Sequence, residues 1–369
     1  MIDCDVYRNL NHLSELLPWV DRNHRDYLRH AGFDEIEQPN RSTWIQSHSF
    51  VRDDSRPPYG GVPGSSYETM RKQLLDPLGV EYAILTGGDI LAVSSLPNPQ
   101  VAAAIATAYN RRLIETWLSY DPRLKGSLVV ATQDAERAAE EIRAFGGCPD
   151  VVQVILPCIA ASGYGDPHYY PIYEAAVEVG LPVAVHAGGE EWSIKPPPAA
   201  TGYPSYYAEW HTLLVQHAMS HLISLVFHGV FEKYPELRVV VIEAGVTWLP
   251  PLLWRMEDGW KALRSEAPWA KQPSSEVVRE HVRVTTRPLD ELDTREKLKR
   301  TLELVDGLED MLMLATGYPH RDFDRPDLVS RRLPASWRER VTSENARALY
   351  ALPARSANDT TKAGAERAS

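Results

Sequence analysis

Two ionisable residues close strongly apolar stretches of the chain, and they are the first candidates for chemistry. His186 ends LPVAVH and precedes Ala-Gly-Gly, and Glu243 ends RVVVIE and precedes Ala-Gly. An imidazole at such a point suits metal ligation or proton transfer. A carboxylate after an apolar run has to be paired, protonated or in contact with a ligand. We therefore predict that His186 and Glu243 are catalytic, with a structural hydrogen bond or salt bridge as the alternative for each.

The first residues of the chain, MIDCDVY, add Asp5 and Tyr7 to this set. In a strand, alternate residues share a face, so Asp3 and Asp5 point the same way and one of them can be structural. We predict Asp5 and Tyr7 as further catalytic residues. If a metal is retained, its predicted ligands are Asp5, His186 and Glu243.

Five other residues are predicted to bind substrate. Arg287 and His320 follow two more apolar strands, and His228 stands at a helix end from which it could reach the same region. Trp192 and Tyr207 belong to an aromatic-rich loop that could wall a pocket, although loop packing accounts for such aromatic residues equally well.

A pair of histidines four residues apart offers a weaker signal. His217 and His221 share a helix face, but HAMSH lacks the glutamate of the HExxH zinc motif. We interpret both as ordinary core or surface histidines.

Eight short apolar stretches must position these residues, and helical stretches separate most of them. The predicted strands are 1–6, 81–87, 126–132, 151–157, 181–187, 238–244, 282–288 and 311–317, and the main predicted helices are 99–120, 135–146, 171–180 and 211–234. Eight apolar strands alternating with helices predict a (β/α)₈ barrel, whose functional side chains lie at the carboxyl ends of the strands. A doubly wound open sheet is the alternative, but no glycine-rich dinucleotide loop follows the first strand.

We predict a single barrel over residues 1–353 and a disordered tail over 354–369. Residues 34–66 and 188–206 have little helical periodicity and many Pro, Gly and Ser residues. Because each follows a predicted strand, both are predicted to be insertions that cap the active-site face.

Composition restricts the function classes further. The chain has 369 residues, a net charge of −11 and no apolar run long enough to span a bilayer. We predict a cytoplasmic protein with a small-molecule substrate and neither a nucleic-acid nor a membrane partner. The three cysteines form no CxxC pair, which suits a reducing compartment. The Trp-rich stretch 248–260 makes a homodimer a possible assembly, although core packing explains it as well.

Four motifs in this order resemble the amidohydrolase superfamily, in particular the branch that includes aminocarboxymuconate-semialdehyde decarboxylase. They are IDCDV, VAVHAGG, FHGVFEKYPELRVVVIEAGVTWLPPLLWRM and ATGYPHRDFD. The resemblance implies a distorted (β/α)₈ barrel with a divalent metal, usually zinc. In the family a His-x-His pair on strand 1, a histidine on strand 5 and an aspartate on strand 8 hold the metal.

The chain departs from that pattern at several ligand positions. Asp5 and Tyr7 stand in place of the histidine pair, and Gly317 stands in place of the strand-8 aspartate, while His186 matches the strand-5 histidine. Glu243 takes a strand-6 position where many members have a catalytic histidine. A phenol with a pKa near 10 is a poor ligand, and glycine supplies neither a ligand nor a base. We therefore expect a degraded site with no metal cofactor, and one divalent metal such as zinc as the alternative.

Three hypotheses about function follow. The first is an enzyme that acts on a small cyclic or carboxylated molecule by acid–base chemistry, such as decarboxylation, C–C cleavage, isomerisation or cyclisation. In it His186 and Glu243 serve as base and acid, Tyr7 donates a hydrogen bond or proton, and Asp5 orients His186 or Tyr7. The second is a metal-dependent hydrolase or nonoxidative decarboxylase with an Asp/His/Glu ligand set. The third is a non-catalytic barrel that binds a small molecule.

Overall fold

Eight parallel strands form one sheet whose order follows the chain from β1 to β8. The computed structural model describes residues 1–30, 51–188, 199–202, 204–290 and 292–354. The strands are β1 (Ile2–Val6), β2 (Tyr82–Leu85), β3 (Leu124–Val129), β4 (Val151–Pro157), β5 (Val183–His186), β6 (Val239–Ile242), β7 (Val282–Thr285) and β8 (Leu312–Met313). Each lies within a predicted strand or within two residues of one, and the barrel prediction is confirmed.

Main-chain hydrogen bonds between the first and last strand segments close the sheet into a barrel. The Cys4 amide donates to the Leu314 carbonyl at 2.9 Å, and the Gly317 amide donates to the Asp5 carbonyl at 3.0 Å. This closure excludes the open doubly wound sheet. It also places the end of β1 beside the segment that follows β8, where the motif ATGYPHRDFD lies.

Helices cover the outside of the barrel, because buried parallel strands need an apolar layer on both faces. The α-helices are α1 (Arg22–His30), α2 (Tyr67–Met70), α3 (Pro99–Arg112), α4 (Leu118–Tyr120), α5 (Ala135–Phe145), α6 (Tyr170–Val179), α7 (Tyr207–Phe227), α8 (Val230–Lys233), α9 (Leu249–Ala262), α10 (Ser274–His281), α11 (Arg295–Leu302), α12 (Leu308–Met311), α13 (Pro326–Arg332) and α14 (Asn345–Leu349). Two large clusters of buried apolar side chains fill the space between strands and helices.

Helix α7 determines which of its histidines can reach the active-site face. The helix follows the long loop after β5, so it starts at the carboxyl ends of the strands and runs back towards their amino ends. Its 21 residues span about 31 Å at 1.5 Å per residue. The chain then turns at Gly229, which has a φ of 70°, so the predicted helix over 211–234 is divided into α7 and α8.

The two predicted insertions and the tail fall partly or wholly outside the described residues. Within 34–66 the structure describes residues 51–66, where Val51 forms an antiparallel bridge with His320 next to the strand-8 segment. Residues 31–50, 189–198 and 355–369 are not described, and the prediction for Trp192 lies among them. Of the helices in the described ranges, none combines the length and apolar character that a bilayer span requires.

Candidate active site

The carboxyl ends of β1, β5, β6 and β7 bring ionisable side chains into one buried cluster. Asp5, His186 and Arg287 have no exposed surface, and Glu243 is 6% exposed. Parallel strands in register end at the same edge, so residues separated by up to 282 positions in the sequence become neighbours. The strand-end reasoning from the sequence therefore identifies residues that are adjacent in space.

Asp5, His186 and Glu243 form a group that could hold a metal ion. One ligand atom from each lies within 4.8 Å of the others. His186 Nδ1 contacts the carbonyl of Ala187, which can only accept, so this nitrogen carries a proton. The other ring nitrogen, Nε2, then faces Asp5 Oδ1 at 3.1 Å. A backbone carbonyl that fixes the tautomer in this way is typical of a histidine that ligates a metal.

One Asp5 carboxylate oxygen accepts a hydrogen bond, and the other makes an ion-pair contact with Arg287 Nη1 at 3.5 Å. Its Oδ1 accepts a hydrogen bond from Thr86 Oγ1 at 2.7 Å, while the buried Oδ2 accepts none from the described residues. Burial raises the pKa of Asp5, but the His186 and Arg287 charges outweigh it, so the net pKa is lowered. A buried, ionised carboxylate oxygen without a hydrogen bond fits a cation. Together with His186 and Glu243 it makes three protein ligands, the number found in catalytic metal sites.

The His186 imidazole would lose a proton when it ligates. Burial lowers the pKa of His186, but the Asp5 carboxylate beside it outweighs this effect and the net pKa is raised. The Asp5 carboxylate therefore favours a proton on Nε2, which faces it. Metal binding at this position would release that proton.

Glu243 is held from two sides in an unusual backbone conformation. Its φ is 59°, a left-handed value that is uncommon for a residue with a side chain. Oε2 accepts a hydrogen bond from the Tyr7 hydroxyl, and Oε1 pairs with Arg287 Nη1. Burial, followed by the Glu243 and Asp5 charges, raises the pKa of Tyr7 well above its usual value. Tyr7 is therefore a neutral hydrogen-bond donor to Glu243.

Arg287 connects the metal-ligand group to the strand-8 segment, residues 314–324, which follows β8. Its Nη1 lies 3.5 Å from Asp5 Oδ2, and its Nη2 lies 2.7 Å from Asp322 Oδ1 and 2.9 Å from His320 Nδ1. Burial and the Arg287 charge lower the pKa of His320 to about 4, so its Nδ1 accepts from the guanidinium. Burial raises the pKa of Asp322, but Arg287 outweighs it and the net pKa is far below its usual value.

A pocket of about 580 Å³ opens beside this cluster. Glu243 and Asp322 line it, together with His211 and the side chains of Trp248 and Phe323. His211 comes from the first turns of α7, and its Nε2 lies 3.1 Å from Asp322 Oδ2. The volume is that of a small-molecule site, with apolar and aromatic walls and a few charged groups.

The structure brings together six of the predicted site residues: Asp5, Tyr7, His186, Glu243, Arg287 and His320. Tyr207 lies one turn before His211 and packs against it, with ring centroids 5.6 Å apart.

His228 does not join the cluster, and its role as a substrate-binding residue stays a prediction. It lines a separate groove between α7 and α9, with Phe227 and Trp269 among its neighbours. The physical reason is the direction of α7, whose start faces the carboxyl ends of the strands and whose end lies about 31 Å away.

Sequence reasoning did not predict the pair of pocket residues His211 and Asp322. His211 is the α7 histidine nearest the loop after β5, so the helix direction would have favoured it over His228. Asp322 follows Gly317 by five positions in ATGYPHRDFD, and only the loop geometry shows that its carboxylate returns to Arg287.

The interpretation of His221 as a core histidine agrees with its surroundings. It is 7% exposed, stacks on Tyr164 with centroids 4.2 Å apart, and its Nε2 lies 2.9 Å from the Cys158 carbonyl. Burial lowers its pKa to about 4, which keeps the ring neutral.

Comparison with known proteins agrees with the sequence resemblance. A family model described as "Amidohydrolase" matches residues 3–352. Gamma-resorcylate decarboxylase from Rhodococcus jostii is 23% identical over 274 residues, which cover 66% of this chain and 78% of that protein. 2-Amino-3-carboxymuconate-6-semialdehyde decarboxylase from Dictyostelium discoideum is 26% identical over 187 residues, or 47% of this chain and 48% of that protein.

A solved structure shows the same fold. The dihydroxybenzoic acid decarboxylase from a Polaromonas species, determined with bound manganese and 2-nitroresorcinol, superposes with a TM-score of 0.63 at 18% identity. The alignment covers 96% of this chain and 97% of that one.

The expectation of a site without a metal cofactor is contradicted. Asp5, His186 and Glu243 remain close enough to hold a metal ion, and the related decarboxylase structure contains manganese. The sequence argument named Asp5, His186 and Glu243 as the ligands of a retained metal, but it gave more weight to the two lost ligand types at Tyr7 and Gly317. The three residues do converge in the structure.

Proposed function

Because the chain belongs to the amidohydrolase family, we propose that it is a metal-dependent nonoxidative decarboxylase of a small aromatic carboxylate. The observation that carries the proposal is the convergence of Asp5, His186 and Glu243 beside a pocket of about 580 Å³. The relatives named above, which are decarboxylases of carboxylated ring compounds or a related semialdehyde, support the same reaction class.

Asp5, His186 and Glu243 would hold the metal through two carboxylates and an imidazole. Oxygen donors with one imidazole suit a divalent ion such as manganese, which the Polaromonas relative contains. When bound, such an ion acts as a Lewis acid that polarises and orients a substrate oxygen.

The residues of the pocket would orient the ring. Trp248 and Phe323 offer aromatic surface, and Glu243 marks the end at which the substrate carboxylate approaches the metal site. Tyr7 and Arg287 keep the Glu243 side chain in a fixed position through one contact to each oxygen. A fixed ligand geometry lowers the reorganisation required during reaction.

Decarboxylation also requires a proton. The bond between the ring carbon and the carboxylate carbon breaks, CO₂ leaves, and the electron pair on the ring carbon takes up a proton. His211 is suited to deliver it, because the ring lies in the pocket wall and the Asp322 carboxylate fixes its Nε2 at 3.1 Å. Asp322, held ionised by Arg287, would stabilise the protonated imidazole, which is the usual role of such a pair.

The test uses metal-depleted full-length protein, manganese and a panel of hydroxylated benzoates and other ring carboxylates. We expect CO₂ release that depends on manganese. In D₂O, deuterium should appear at the carbon that carried the carboxylate. His186→Asn should lose manganese binding and turnover together. The control His217→Asn changes a histidine of α7 outside the ligand group and should keep both. Turnover that persists in fully metal-depleted protein, or no CO₂ from any member of the panel, would refute the proposal.

A role for His211 is tested separately. His211→Gln should keep manganese affinity and lower CO₂ release about 10²-fold or more, the usual scale of a lost general acid. Equal turnover of His211→Gln and the unchanged protein would assign the proton to another group.

A further inference from the structure

Gly317 and Arg287 occupy one volume at the bottom of the site. A Cβ atom added at Gly317 would lie 1.9 Å from Arg287 Nε and 2.2 Å from both Cδ and Cζ. Neither backbone can withdraw easily, because the Gly317 amide is bonded to the Asp5 carbonyl at 3.0 Å and Arg287 follows β7. The guanidinium therefore lies where a side chain at position 317 would begin.

The guanidinium also faces two of the three residues that could hold the metal. Nη1 pairs with Glu243 and lies 3.5 Å from Asp5 Oδ2. Arg287 has no exposed surface, and an arginine guanidinium keeps its proton in proteins. It is thus a permanent positive charge within the ligand group.

We propose that Arg287 is a positioning residue that holds Asp5 and Glu243 in place before metal binding and limits the affinity of the site for a divalent ion. The inference rests on the proposed function only through the identity of the three ligands. A unit charge a few ångströms from a divalent ion opposes binding strongly even at the effective dielectric of a protein. Removal of Arg287 should therefore increase the affinity for the ion, although the two carboxylates would lose their ordering and this offsets part of the gain. We expect the dissociation constant to fall at least tenfold.

The same arrangement explains why the strand-8 segment has no carboxylate at position 317. A side chain there would displace the guanidinium. The same segment instead supplies Asp322, whose Oδ1 lies 2.7 Å from Arg287 Nη2. Arg287 therefore separates a carboxylate at the pocket wall from the carboxylates at the metal site.

The first experiment is a calorimetric titration of manganese into metal-depleted full-length protein. Arg287→Met and Arg287→Gln remove the charge but keep much of the length, and Arg287→Lys keeps the charge. The proposal expects a dissociation constant at least tenfold lower for the two neutral variants and close to the original for Arg287→Lys. The proposal would be overturned if both neutral variants bound manganese no more tightly than the original protein. It would also be overturned if Arg287→Lys bound manganese as tightly as the neutral variants are expected to.

The second experiment tests the shared volume and does not depend on metal. In a double-mutant cycle followed by thermal unfolding, Gly317→Ala should lower the midpoint more in the original protein than in Arg287→Ala. Equal effects in both backgrounds would refute the shared volume even if the neutral titration variants do not fold.

Failure of this inference is distinguishable from failure of the proposed function. If the original protein decarboxylates a ring carboxylate and the neutral variants bind manganese no more tightly, the inference alone fails. If the neutral variants bind manganese tightly and the original protein releases no CO₂ from any substrate, the proposed function alone fails.

Discussion

Tyr7→Phe tests whether the Tyr7 hydroxyl supports the Glu243 carboxylate. The hydroxyl donates to Glu243 Oε2, and its raised pKa keeps it protonated. The substitution removes this one group and keeps the ring, whose centroid lies 4.1 Å from that of His320 and 5.4 Å from that of His186. Any effect therefore reports the hydrogen bond rather than a change in packing.

The expected magnitude follows from the charge and burial of the acceptor. Glu243 is 6% exposed, and a hydrogen bond to a charged group contributes roughly 1.5–3 kcal/mol. For a chain of 369 residues the unfolding entropy is about 0.75 kcal/mol per kelvin. A loss of about 2 kcal/mol should then lower the Tm of metal-depleted protein by about 3 °C, measured by differential scanning calorimetry.

Tyr350→Phe is the matched control. Tyr350 has the same 6% exposure as Tyr7, and its hydroxyl donates to the neutral Gln153 Oε1 at 2.8 Å. A neutral pair contributes about 1 kcal/mol, so this variant should lose about half as much. If Tyr7→Phe costs no more than Tyr350→Phe, Glu243 does not depend on Tyr7 as a charged acceptor and the reasoning is refuted.

Three further outcomes are expected. Because burial lowers the pKa of His221 from 6.5 to about 4, the unfolded chain binds a proton in this window that the folded chain does not. Acidification from pH 6.5 to 4 should lower the free energy of unfolding of the original protein by about 3 kcal/mol more than that of His221→Gln. Urea unfolding at several pH values measures this difference, and parallel pH dependences of the two proteins would contradict it. Gly165→Ala places a Cβ 2.1 Å from the Ser224 carbonyl oxygen and should cost about 1–3 kcal/mol, whereas Gly147→Ala meets no described atom within 4 Å and should change the free energy of unfolding by less than about 0.5 kcal/mol. His228→Ala should leave manganese affinity and CO₂ release unchanged, and a loss of either would restore His228 to the site.

The parts of the site that the sequence predicted share one property. His186 and Glu243 each follow a short run of apolar residues, a pattern that a parallel strand buried on both faces produces, and Asp5 and Arg287 lie at or just beyond the carboxyl ends of two further strands. Barrel geometry then places strand ends together, whatever lies between them in the sequence. The fold and these four residues could therefore be predicted without coordinates.

The metal site shows why residue types alone were insufficient. Replacement of a histidine by Tyr7 and of an aspartate by Gly317 suggests loss of a metal when each position is considered alone. Convergence of Glu243 with Asp5 and His186 depends on how far three strands extend and how their ends tilt. Those quantities are set by packing and are not encoded in any single motif.

The sequence by itself determined the barrel, the strand ends and most of the charged groups, because burial and alternation leave a local pattern. Only the tertiary structure decided which histidine of α7 reaches the pocket and why position 317 has no room for a side chain. The first depends on the direction of a 21-residue helix. The second depends on an arginine 30 positions earlier whose guanidinium fills the volume that the glycine leaves open. Such contacts arise from close packing between distant segments, which no local sequence pattern records.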